Sequence, residues 1–74
     1  MAEGFIHTVY KNDEWVNEFE QGAELGLPHA TKEEAVAAGR TRAKFDKTEH
    51  VIHNQDGTIG ERNSYGGDAA GRPG

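Results

Sequence analysis

The chain contains no cysteine, only two prolines and one methionine, and it carries eight lysines and arginines against thirteen aspartates and glutamates. Without cysteine, neither a disulfide framework nor a thiolate zinc centre can stabilise it, so a reducing compartment is expected, the cytoplasm by default. No apolar run approaches the roughly 20 residues of a membrane-spanning helix, and Met1-Ala2-Glu3-Gly4 lacks the basic and apolar regions of a secretory signal. No membrane partner is expected. The formal charge of -5 works against phosphate backbones as a whole, because non-specific nucleic-acid binding rests on cation–phosphate contacts. Serine occurs only at Ser64, in a glycine-rich setting that offers no base, so no hydrolase and no other enzyme is expected.

What is present is enough for one small core. A chain of 74 residues makes a single domain that buries only about 60% of the surface its unfolded form exposes. Residues 1–66 are read as that domain. Residues 67–74, dominated by Gly67, Gly71, Pro73 and Gly74, bury too little to offset chain entropy and are read as a disordered tail.

Aromatic and β-branched residues concentrate at Phe5 to Tyr10 and Trp15 to Phe19, separated by the turn formers Lys11-Asn12-Asp13-Glu14. A two-residue turn at Asn12-Asp13 sets Lys11 opposite Glu14, Tyr10 opposite Trp15 and Thr8 opposite Asn17, and collects Ile6, Tyr10, Trp15 and Phe19 on a core face. A longer loop with a bulge would swap the faces. On this register His7 lies beside Glu18, and Phe5, Val9 and Val16 lie on the face away from the core. Gln21 to Ala30 reads as a loop, within which Leu25 and Leu27 could form a short edge strand.

Thr31-Lys32-Glu33-Glu34 is a capping box that starts a helix running to about Phe45 or Asp46. Ala35, Val36, Gly39 and Ala43 form its thin apolar stripe. Gly39 costs about 1 kcal/mol in helix propensity, and a bulky aromatic such as Trp15 packed against it is the expected reason. Glu49 to His53 is a strand, and Asp56-Gly57 is expected to make a two-residue type I′ turn into Thr58 to Arg62. That register pairs Asn54 with Ile59, placing His50, Ile52 and Ile59 inside and Val51, His53 and Arg62 outside. The fold class is therefore α+β: a small antiparallel sheet of two hairpins in ββαββ order, with one helix packed on one face.

Of the four histidines, His50 and His53 are three apart on a strand and so face opposite ways. His7 and His53 both face outward, yet nothing in the sequence sets their strands side by side, so neither metal nor cofactor is expected. Arg40, Arg42, Lys44 and Lys47 could track phosphates, with Arg40, Lys44 and Lys47 on one exposed side. The simpler reading is that cations late in a helix, after Glu33 and Glu34, complement its dipole.

The order of these parts, with Asp56-Gly57-Thr58-Ile59-Gly60-Glu61-Arg62-Asn63-Ser64-Tyr65-Gly66 at the C-terminal end, resembles the bacterial domain-of-unknown-function family numbered twenty-one eighty-eight. The resemblance runs from Phe5 to Asp68, is most distinctive over His53 to Gly66, and is supported by Thr31, Glu34 and Ala35. It departs at Glu14, where the family usually has glycine, and at Ala69-Ala70-Gly71-Arg72, where it usually has a proline-rich ending. It implies a small α+β domain and brings no activity with it. The functional expectation is a non-enzymatic protein-interaction module, binding itself as a homodimer or another protein through Phe5, Val9 and Val16 or through a sheet edge. The alternative is a nucleic-acid accessory domain using Arg40, Arg42, Lys44 and Lys47.

Overall fold

The computed structural model describes residues 4–66, so the expected tail at 67–74 lies outside the described residues. The elements are β1 (Ile6–Lys11), β2 (Glu14–Phe19), β3 (Glu24–His29), α1 (Lys32–Asp46), β4 (Glu49–His53) and β5 (Ile59–Ser64). They build one five-stranded sheet in the order β3-β2-β1-β4-β5, with α1 packed on one face.

The α+β class and the single helix stand, but the sheet is not two antiparallel hairpins. Leu25 and Leu27 belong to a fifth strand, β3, which pairs antiparallel with β2, and β4 runs parallel to β1. The physical reason is the length of the crossover. The helix carries the chain from β3 at one edge across β2 and β1, which delivers β4 beside β1 in the same direction, as a crossover helix does.

The first hairpin has the expected register, with Lys11 opposite Glu14 and Tyr10 opposite Trp15. Its turn residues Asn12 and Asp13 have φ of 54° and 64°, the double left-handed geometry of a type I′ turn that matches strand twist. The second hairpin differs from expectation. Gly57 N–H donates to Asn54 O (2.9 Å), Asn54 N–H donates to Thr58 O (2.7 Å), and of the Asp56-Gly57 pair only Gly57 has positive φ. This is a three-residue loop closed by a glycine bulge. The β2–β3 turn repeats it, with Gly22 N–H to Phe19 O and Phe19 N–H to Ala23 O both at 2.8 Å.

The extra residue shifts His53 onto Ile59, whereas Glu49 to Ile52 keep the expected partners Ser64 to Glu61. Because side chains alternate faces along a strand, that slip carries Ile59 off the inner face, where it was expected, and leaves it 54% exposed.

Thr31 caps the helix, its Oγ1 accepting from Glu34 N–H at 3.2 Å. The helix ends at Lys47, whose φ of 56° lets its N–H reach back to the Ala43 and Lys44 carbonyls. Ala35, Gly39 and Ala43 are the buried stripe. Such small residues bring the helix backbone close to the sheet, and what lies beneath them is the first surprise of the structure.

Candidate functional site

The inner face of the sheet presents Ile6, Thr8, Trp15, Asn17, His50 and Ile52 to the helix, all buried. Trp15 stacks on Tyr10 with ring centroids 5.0 Å apart and lies under the Lys32 ammonium. The expectation that Trp15 explains Gly39 is wrong. A Cβ at Gly39 would lie 2.6 Å from Asn17 Oδ1 and from His50 Nε2 and 2.9 Å from Thr8 Oγ1. Glycine is required because three polar side chains, rather than an aromatic ring, fill the space.

Those three form a hydrogen-bonded chain. Thr8 Oγ1 donates to Asn17 Oδ1 at 2.5 Å, and Asn17 Nδ2 donates to the Ala35 carbonyl at 3.0 Å. Thr8 has thereby given its only proton, so the 2.7 Å contact with His50 is a donation from His50 Nε2–H to Thr8 Oγ1. His50 Nδ1 is left as a bare, buried acceptor without a partner. Burial, aided by the positive charge of Arg40, lowers the His50 pKa to about 4 and keeps the ring neutral near pH 7. A hydroxyl beside an imidazole suggests nucleophilic chemistry, but Thr8 and His50 are both inaccessible, and the hydroxyl proton is committed to Asn17.

The outer face carries Phe5, Val9 and Val16, as the register requires, with Val51 beside them. Val16 and Val51 are only 4% and 1% exposed although no element among the described residues lies over them, and Phe5 and Val9 are half-buried. Long charged side chains cover them. To reach Glu18 Oε2 at 2.6 Å, Lys11 must extend across the Val9–Val16 row, and its ammonium also lies 3.7 Å from Glu24. Arg62 bonds Glu49 at 2.6 Å and stacks over Phe5 at 5.9 Å. Aliphatic stems thus shield the valines while the charged ends stay wet. Leu25 and Leu27 do not cover this face, since β3, which holds them, lies in the plane of the sheet beside β2.

Because β4 lies beside β1, His7 and His53 meet on this same face. His7 Nδ1 is 3.0 Å from His53 Nε2, with ring centroids 5.2 Å apart, and His7 Nε2 is 2.5 Å from Glu20 Oε1. No sequence spacing signals this contact, which arises from the parallel crossover. Among the described residues, no three His, Asp or Glu side chains gather as a ligand set.

The four basic helix residues are brought along its last turns but are not left equally free. Arg42 bonds Asp46 at 3.0 Å and stacks over Phe19 at 5.2 Å, and Lys44 lies over Tyr65 at 5.7 Å. Arg40, Lys44 and Lys47 are exposed.

The two sheet edges differ as well. The β3 edge is interrupted by a bulge, by Gly26 at φ 76° and by Pro28, which has no N–H to offer. At the other edge, β5 pairs only with β4 among the described residues. Tyr65 N–H donates to Thr48 O at 3.1 Å, so by strand alternation the backbones of Arg62 and Ser64 point outward, away from β4.

These features define a small α+β domain with a mixed five-stranded sheet and one helix. Residues 6–65 match the family model described as "Uncharacterized protein conserved in bacteria (DUF2188)", and the chain belongs to that family. No curated protein and no solved structure matches the chain. No helix among the described residues is long and apolar enough to cross a membrane.

Proposed function

We propose that this domain is a non-enzymatic protein-interaction module that captures an extended segment of a partner protein along the free edge of β5. The observation that carries this reading is the asymmetry of the edges: β3 is interrupted, while β5 presents the backbone groups of Arg62 and Ser64 to solvent. Addition of a strand to such an edge supplies affinity through main-chain hydrogen bonds and specificity through alternate side chains.

Self-pairing is restricted at this edge. A two-fold axis keeps each face of the sheet continuous only if residues of like parity meet; registers centred on Glu61 or Arg62 oppose like charges, which leaves the register centred on Asn63, with Arg62 opposite Ser64. Homodimerisation through Phe5, Val9 and Val16 is less favoured for another reason, since Val16 is already buried within one chain. The nucleic-acid reading is weaker because Arg42, one of the four cations, is paired with Asp46 within the domain.

A displayed library of unstructured peptides, selected on the wild-type protein, tests the proposal. Binders should protect the Arg62 and Ser64 amides from hydrogen exchange and be lost in Ser64→Pro, which removes an outward N–H and no β4–β5 bond. Binders that leave those amides exchanging and tolerate Ser64→Pro would refute it, as would nucleic-acid binding at low salt that Arg40→Gln and Lys47→Gln abolish.

A further inference from the structure

The contact between His7 and His53 has the makings of a metal site. Glu20 as a carboxylate can only accept, so His7 carries its proton on Nε2, and its Nδ1 lone pair points at His53 Nε2, 3.0 Å away. A ligating histidine typically gives its other ring N–H to a carboxylate, which fixes the tautomer and raises the basicity of the ligating nitrogen. Glu20 occupies that position on His7.

Glu20 is itself held. A Cβ on Gly4 would lie 2.6 Å from Glu20 Cβ, so only glycine, here at φ 93°, lets the chain pass this closely. Thr48 Oγ1 donates to the Gly4 carbonyl at 3.0 Å and anchors the passage. The surrounding charge suits a cation. Among the described residues, Glu14, Glu18, Glu20, Glu24 and Glu49 lie on this face with only Lys11 and Arg62 to oppose them.

We propose that His7 Nδ1 and His53 Nε2 bind one divalent transition-metal ion of the imidazole-preferring class, with Glu20 as the positioning residue. The ion takes the place of the proton between the rings, and neutral His53 shifts its own proton to Nδ1. Metal–nitrogen bonds of about 2.0–2.1 Å across nitrogens 3.0 Å apart subtend an angle of about 95°. That is nearer the cis angle of a tetragonal Cu²⁺ or Ni²⁺ site than the wider angle of tetrahedral Zn²⁺. His7 is 21% exposed, which leaves the remaining coordination positions open to solvent. The site is independent of the β5 edge and of the reading built on it.

Titration of the full chain with Cu²⁺, Ni²⁺ and Zn²⁺ separately, followed by calorimetry and by histidine ring proton resonances, tests the assignment. One ion per chain is expected, with Cu²⁺ bound tightest and the paramagnetic ions broadening the His7 and His53 resonances before those of His29. His7→Ala and His53→Ala should each weaken binding at least tenfold. Glu20→Gln should weaken it by about tenfold, while Glu20→Asp should restore part of the loss. His29→Ala should leave affinity unchanged. The proposal is overturned by any of three results: no saturable binding, affinity that survives the His7→Ala, His53→Ala double variant, or broadening that begins at His29. The resonance readout is made on the wild-type chain and so does not depend on the folding of any variant.

Discussion

The two faces of the sheet bury their residues in opposite ways. The inner face is roofed by a helix and keeps a chain of polar groups, Thr8, Asn17 and His50, dry beneath it. The outer face has no element above it among the described residues, and its valines are shielded by the side chains of Lys11 and Arg62 as these reach their carboxylates. Burial therefore does not by itself report a covering element, nor does a covering element imply an apolar interior. A roof of small residues brings backbone near enough for polar groups to be satisfied, as the Asn17 bond to the Ala35 carbonyl shows. Flexible charged stems can hide single branched side chains but leave no close-packed interface.

This contrast can be tested, beginning with the largest effect. Trp15→Ala on the inner face should cost about 3 to 5 kcal/mol, and in so small a domain that should abolish the cooperative denaturant transition. Phe45→Ala, at a helix position 81% exposed, should stay within about 0.5 kcal/mol.

Gly39→Ala should be next. Alanine would ordinarily gain about 1 kcal/mol in helix propensity, but here its methyl must displace Asn17, His50 and Thr8, and the net loss should be about 2 kcal/mol. Combining it with Thr8→Gly should recover part of that loss if the clash is the cause. Equal losses in both backgrounds would show that the helix, rather than the polar chain, responds.

On the outer face, Val16→Lys should cost about 2 kcal/mol in urea melts, because a buried charge replaces a packed side chain. Val9→Lys, at a half-buried position, should cost less than half as much. Were Val16→Lys instead to leave stability unchanged and alter sedimentation, the valines would be meeting a second chain.

A last test separates the faces by acidity. Burial holds the folded His50 pKa at about 4, below the usual 6.5, so between those values the unfolded state binds more protons. The His50 contribution to stability is then fully present above about pH 6.5 and is lost progressively as pH falls to about 4. Urea midpoints from pH 7 to 4.5 should fall more steeply for wild type than for His50→Gln. Parallel curves would place that sensitivity elsewhere.

Much of this architecture was legible along the chain. Turn chemistry and alternation located the first hairpin and its register, and the Thr31 capping box located the helix start. Asp56-Gly57 located the second turn but not its type. A glycine with positive φ serves both a two-residue turn and a three-residue turn with a bulge, and the choice between them decided the face of Ile59. The strand at Leu25 and Leu27 was obscured by Gly26 and Pro28, which mark loops in sequence and, in the fold, an irregular sheet edge.

Sequence alone determined the two hairpins, the helix with its stripe of small residues and the family to which the chain belongs, because these depend on residues within a few positions of one another. Only the tertiary structure decided that β4 lies parallel to β1, that Gly39 sits over polar atoms, that His7 touches His53 and that β5, among the described residues, is paired on one side alone. Each of these joins segments separated by a crossover whose length and path, set by the packing of the whole helix against the sheet, no local pattern encodes.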